Sequence, residues 1–150
     1  MKTFILSIII SIIAVSVHAE RTKEGAAEFF VKEVLEYSDL PEKDEERTLI
    51  SIEAVKGTVI YTYDVDFTAI LDGYTVKTEE EYEYMYSQFK INMQELQNDT
   101  YCDSDLIDHF KLGVNFKSII IFKNIGKSVV TKNKVITSVD YKSCIDNDFF

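Results

Sequence analysis

The first nineteen residues decide how the rest of the chain is read. Met1-Lys2-Thr3 gives a basic start, Phe4 to Val17 is almost wholly apolar, and Val17-His18-Ala19 places short side chains at the two positions a signal peptidase reads. The apolar stretch is short of the ~20 residues a spanning helix needs. We expect residues 1–19 to be a cleaved signal peptide and residues 20–150 to form one exported domain. An uncleaved N-terminal anchor is the alternative.

Export fixes the redox setting of the only two cysteines, Cys102 and Cys144, which stand 42 residues apart. An oxidising compartment favours a disulfide, and two cysteines allow one intramolecular pairing. Closing such a loop stabilises a fold by ~4 kcal/mol in the chain-entropy picture. Buried free thiols or a metal site are the alternatives, but a zinc site would ordinarily bring Cys-x-x-Cys spacing, which the chain lacks.

The net charge is −10, and removing the signal peptide takes away a lysine and no acid. Nucleic acid and anionic membranes repel such a chain. A basic partner is electrostatically favoured, although acidity also serves solubility alone.

Along the expected mature chain, Ala27, Phe30, Val31, Val34 and Leu35 make an amphipathic helical stripe that ends before Leu40-Pro41. Glu42 to Arg47 reads as a charged loop. The period then changes to two: Ile50, Ile52 and Ala54, then Val59, Tyr61, Tyr63 and Val65, join across Lys56-Gly57 as a β-hairpin. Asp72-Gly73 marks a further turn. Thr78 with Glu81 forms a capping box, and Tyr82, Met85, Tyr86, Phe89, Met93 and Leu96 follow at helical spacing as core positions. A short helix follows Cys102, capped by Asp103 or Ser104 and stopped by Gly113. Val114 to Phe122 alternates as a strand, Lys123 to Gly126 turns, and Ser128 to Asp140 returns. The expected fold is α+β in the order αββααββ. Two hairpins form one antiparallel sheet, polar on one face and packed on the other against an N-terminal helix and a central helix pair.

Chemistry is harder to find. His109 is the only histidine after the signal peptide, and we expect it on the surface. Asp105 and Asp108 lie within one turn of it, which keeps open a small envelope-polymer hydrolase built on the acids around Asp103–His109. No nucleophile elbow accompanies them. Asp99, Asp103, Asp105 and Asp108 lack the glycine and terminal glutamate of a calcium loop, and capping explains them. Asn98-Asp99-Thr100 is a glycosylation sequon. No catalytic residue, metal site or cofactor is assigned.

Surfaces remain. Tyr61 and Tyr63 share one strand face with Val59 and Val65, and Val130, Lys132, Lys134 and Ile136 are expected on the same face of the second hairpin. Exposed, the tyrosines would be good partner anchors; otherwise they line the buried face. An edge strand offering main-chain groups is a second route to binding. The leading expectation is a non-enzymatic exported module that binds a protein or cell-envelope component. Inhibition of another exported enzyme is a third reading.

Three stretches together carry a resemblance. They are Leu40-Pro41 with Asp44 and Thr48-Leu49, the strand with Tyr61 and Tyr63, and Cys102 through Gly113-Val114, Phe122 and Gly126 to Cys144. Over residues 40–144 the chain resembles small exported bacterial proteins of the quorum-sensing-regulated virulence-factor type. That resemblance implies a periplasmic or secreted α+β domain, a Cys102–Cys144 disulfide and no established enzymatic activity.

Overall fold

Helix α1 (Lys23–Glu36) begins where Thr22 Oγ1 accepts a hydrogen bond from the Gly25 amide at 3.1 Å, replacing a partner the first turn lacks. Its apolar stripe of Ala27, Phe30, Val31 and Val34 turns onto the sheet. The computed structural model describes residues 22–43, 47–71, 74–102, 104–123 and 133–147. The signal segment 1–19, the Asp72-Gly73 turn, the Asp103 cap and the Gly126 turn lie outside the described residues.

Five strands form one sheet in sequential order: β1 (Glu42–Lys43), β2 (Arg47–Val55), β3 (Thr58–Asp66), β4 (Asn115–Lys123) and β5 (Lys134–Val139). The β2–β3 hairpin turns at Lys56 and Gly57, both with positive φ (50° and 74°), the backbone a two-residue turn requires. The expected charged loop at Glu42–Lys43 instead supplies a two-residue strand paired with Thr48–Leu49.

The expected all-antiparallel sheet is corrected at its centre, where β3 and β4 are parallel, from Thr58 opposite Asn115 to Asp66 opposite Lys123. The connection explains it. After β3 come a short helix α2 (Phe67–Ile70), the long α3 (Glu79–Tyr101), a 3-10 turn (Ser104–Leu106) and α4 (Ile107–Lys111). A 23-residue helix such as α3 rises about 35 Å, enough to return along the roughly 30 Å of a nine-residue strand. The chain therefore re-enters at the end where β3 began, and the Asn115 amide donates to Gly57 O at 3.2 Å. Gly113 (φ 86°) ends α4 in a Schellman arrangement, its amide bonded to Phe110 O and the Val114 amide to His109 O. The order also gains α2 and a closing helix α5 (Tyr141–Asp146), capped by Asp140.

Helix α3 starts as expected: Thr78 Oγ1 accepts from the Glu81 amide at 3.2 Å, and Glu81 reaches back to the Lys77 amide at 2.9 Å. One core cluster surrounds Phe116, with Phe30, Tyr101 and Phe110 against its ring; the other surrounds Phe122, with Phe67, Tyr86 and Phe89. Between them the helical stripe departs from expectation. Leu96 is 48% exposed, and Gln97 takes the inward position. Its Nε2 donates to Ser118 Oγ on β4, and its Oε1 accepts from Thr137 Oγ1 on β5. Over five turns a straight helix drifts from a fixed stripe, so the inward position moves by one residue.

Cys102, at the end of α3, is joined to Cys144 in α5 with S–S 2.11 Å and Cα–Cα 5.3 Å. Both are buried.

Gln97→Ala leaves the buried Thr137 hydroxyl without its partner and takes one of two from Ser118, and should destabilise the fold by about 1–3 kcal/mol, whereas Leu96→Ala should cost under about 1 kcal/mol. Urea unfolding of both variants measures the difference.

Candidate functional site

Alternation along β3 puts Tyr61 and Tyr63 on one face, and that face is the covered one. Tyr61 is 2% exposed, stacked on Tyr63 with ring centroids 6.4 Å apart and tilted against Tyr101 at 5.8 Å. The Tyr101 hydroxyl hydrogen-bonds Tyr63 and Ser118, and the Arg47 guanidinium lies 5.8 Å from the Tyr63 ring centroid. Burial pushes the Tyr61 and Tyr101 phenols well above their ordinary range, so both stay neutral. The expectation of an exposed tyrosine face is thus corrected. Period two selects which residues share a face, and only the packing of helices selects which face is buried. Lys134 and Ile136 fall on the opposite face, because Val135, Thr137 and Val139 turn inward. Val130 and Lys132 lie outside the described residues.

His109 also departs from expectation. It is 1% exposed, with its ring edge-on to Phe30 at 5.5 Å. Its Nδ1 is buried without a hydrogen-bond partner among the described residues. Asp108 points outward beside Lys111 at 3.9 Å, and Asp105 and Asp99 are exposed. The acids stand at the surface and the imidazole is in the core, where Asp108 acts on it only as a nearby charge. Among the described residues, no three His, Cys, Asp or Glu side chains gather as metal ligands would. Asn98 of the sequon sits within α3, its Oδ1 accepting from Gln94 Nε2 at 3.1 Å.

What distinguishes the surface is the contrast between the two edges of the sheet. The β5 edge is capped by α3 at Lys134 and Ser138. Tyr86 Oη donates to Lys134 O at 2.8 Å, while Gln94 Nε2 donates to Ser138 O at 2.9 Å and its Oε1 accepts from the Ser138 amide at 3.3 Å. The β2 edge is covered by β1 only at Thr48–Leu49. A register shift between Leu49 and Ser51 follows, and from there to Val55 the strand has a neighbour on one side only among the described residues. In a two-residue hairpin the residues flanking the turn exchange both hydrogen bonds, and alternate pairs follow suit. Val55 and Glu53 therefore bond to β3, while Ile52 and Ala54 turn their N–H and C=O outward.

A groove runs beside this free edge. Val31 and Leu35 of α1 form one wall and Ile52 and Ala54 the other, with Glu28, Glu36, Glu53 and Lys32 around the rim. Leu35, expected in the core stripe, is 42% exposed here. Both walls were visible in the sequence as periodic apolar residues, but that they meet at an uncovered edge was not.

The buried imidazole generates a pH prediction. Burial lowers the His109 pKa below its ordinary value, more than neighbouring Asp108 raises it. The unfolded chain therefore takes up a proton first as pH falls below about 6.5, and native stability should decline from there through the lower native pKa. His109→Phe, which keeps a ring against Phe30, should flatten stability between about pH 7 and about pH 5, measured by thermal unfolding across that range.

No protein-family model matches the sequence, and no curated protein does. Among solved structures the chain is similar to a candidate secreted protein of Pseudomonas aeruginosa, at 13% identity and TM-score 0.54, over 81% of this chain and 96% of that one. Looser likenesses are the pilotin EpsS of the Vibrio vulnificus type 2 secretion system (17% identity, TM-score 0.46, 81% and 94% covered) and the type II secretion pilotin AspS of Vibrio cholerae (16%, 0.42, 81% and 95%). The first of these likenesses is one of fold: a small α+β domain with a single sheet.

Proposed function

We propose that this protein is a non-enzymatic exported module that captures an extended segment of a partner protein along β2. The observation that carries the reading is the asymmetry of the sheet, with β5 capped at Lys134 and Ser138 by Tyr86 and Gln94 and β2 without such caps from Ser51 to Val55 beside an apolar groove. An exposed strand edge adds a partner strand through main-chain hydrogen bonds, and a neighbouring groove takes its alternate side chains. Rim carboxylates at Glu28 and Glu36 outnumber Lys32, so the fitting segment is apolar with Lys or Arg in its flanks.

Export belongs to the same reading. The apolar segment at residues 1–19 directs it, and the Cys102–Cys144 disulfide is the state an oxidising compartment maintains. Inhibition of another exported enzyme is the special case in which the captured strand belongs to an enzyme. The hydrolase reading needs His109 at the surface beside Asp105 or Asp108, and its imidazole is in the core.

Two blocked peptides of equal length, one alternating Val with Lys and the other Val with Glu, test this by amide chemical-shift mapping. The lysine peptide should shift Ile52 to Val55, and the glutamate peptide should not. Leu35→Glu at the groove wall should weaken binding by roughly tenfold or more while leaving the melting temperature nearly unchanged. Shifts that map elsewhere, or binding indifferent to Leu35, would remove the edge from consideration.

A further inference from the structure

The uncovered stretch of β2 is blocked at one end and open at the other. Glu42 stands opposite Leu49 and Lys43 opposite Thr48, so the same register carried one residue further sets Pro41 beside Ile50. Pro41 has no N–H to offer a sheet, and Leu40 before it packs against the first core cluster. The connection from α1 to β1 (residues 37–41) therefore crosses the sheet edge at Ile50 and fills the row in which a captured strand lies. From Ser51 to Val55 that row has room for about five residues, roughly 17 Å. Past Val55 the chain turns away at Lys56-Gly57 into β3, and among the described residues no strand stands beside Val55 on the outer side. A segment seated here enters past Val55 and stops at Ser51, which suits the end of a chain better than its middle.

Charge then distinguishes the two kinds of end. Helix α1 starts at the open end, where the Lys23 stem lies against Gly57, and its 14 residues rise about 21 Å toward the blocked one. The negative end of its dipole and its last carbonyls therefore face the blocked end. Its last turn carries Glu36, which lines the groove, and no basic residue. Asp39 is exposed in the connection, and Glu42 shares the helical face with buried Leu49. Against these acids that face offers Arg47, which lies over the Tyr63 ring, while Lys43 turns to the other face with Thr48. Lys23 and Lys56 outnumber Glu24 at the open end.

We infer that the segment captured along β2, if the edge is the binding site as proposed above, is the free amino terminus of another exported chain, lying parallel to β2 with its α-ammonium at the blocked end beside Glu36, Asp39 and the end of α1. A carboxyl terminus seated there runs the other way and sets its carboxylate against the same acids and the same helix end. Removal of a signal peptide leaves a free α-amine, so exported chains supply such ends. Alternate side chains of the terminal residues meet Leu35, Ile52 and Ala54 on the helical side, and the others pass Ser51, Glu53 and Val55.

The test titrates the exported, oxidised protein with one short peptide of alternating Val and Lys in three forms: both ends blocked, amino end free, and carboxyl end free. At pH 7 the free amine should bind roughly tenfold tighter than the doubly blocked form, and the free carboxylate more weakly than either. The gain should fade as pH rises past about 8, where a free α-amine loses its proton. Glu36→Gln combined with Asp39→Asn should cut the ratio between free-amine and blocked affinities to under about twofold. A nitroxide on the peptide's last residue should broaden the Lys56 and Gly57 amides and spare Ile50. If no form binds, the edge reading falls and this inference with it. If the three forms bind the edge alike, if the free carboxylate binds tightest, or if the nitroxide broadens Ile50, the edge reading stands and the amino-terminal one is overturned.

Discussion

Helix α3 lies along one face of the sheet against β4 and β5, and most of what is distinctive about the molecule follows from where it rests. Its length returns the chain to the end at which β3 began, so β4 joins in parallel. Its inward side chains, Tyr82, Phe89, Gln97 and Tyr101, complete both aromatic clusters, and two of its outward-leaning ones cap the β5 edge at Lys134 and Ser138. The disulfide then ties its last turn to α5, so the helix cannot leave the sheet without carrying the closing helix with it.

A two-layer arrangement of this kind has a direct consequence for function. Helices on one face of a single sheet leave the other face and any unpaired edge as the places where partners can add. Here the chain treats its edges unequally. Gln94 satisfies the N–H and C=O of Ser138, while Ile52 and Ala54 have no counterpart of Gln94 among the described residues. Small Ala54 at the edge and half-exposed Leu35 above it leave room at the spot where a strand would seat. The charges are equally uneven, with carboxylates crowding the helical layer and lysines spaced along β4 and β5. Surface electrostatics of this sort selects and orients partners more than it stabilises the fold.

The buried polar groups show how a core of this size keeps one arrangement. Gln97 ties β4 to β5 through Ser118 and Thr137, and the Tyr63–Tyr101–Ser118 chain continues the network toward β3. Satisfied groups of this kind hold register, because a shift of one residue would strand them all. His109 Nδ1 is the exception among the described residues, and it makes that corner of the core sensitive to acid.

Read alone, the sequence determined what is local. The Thr78 start, the Lys56-Gly57 turn, the Gly113 stop and the alternation of β3 and β4 depend on neighbours within a few residues, and each is legible from side-chain type and spacing. It also named the only two cysteines that could pair. Tertiary structure alone decided which face of an alternating strand is buried, how two hairpins meet, and which edge stays open. The same residues therefore changed role: Tyr61 went from expected anchor to core, Leu96 gave its place to Gln97, and His109 moved inside. Periodicity records which side chains travel together, but burial depends on what another part of the chain lays across them. That information is non-local, carried here by the length and placement of α3.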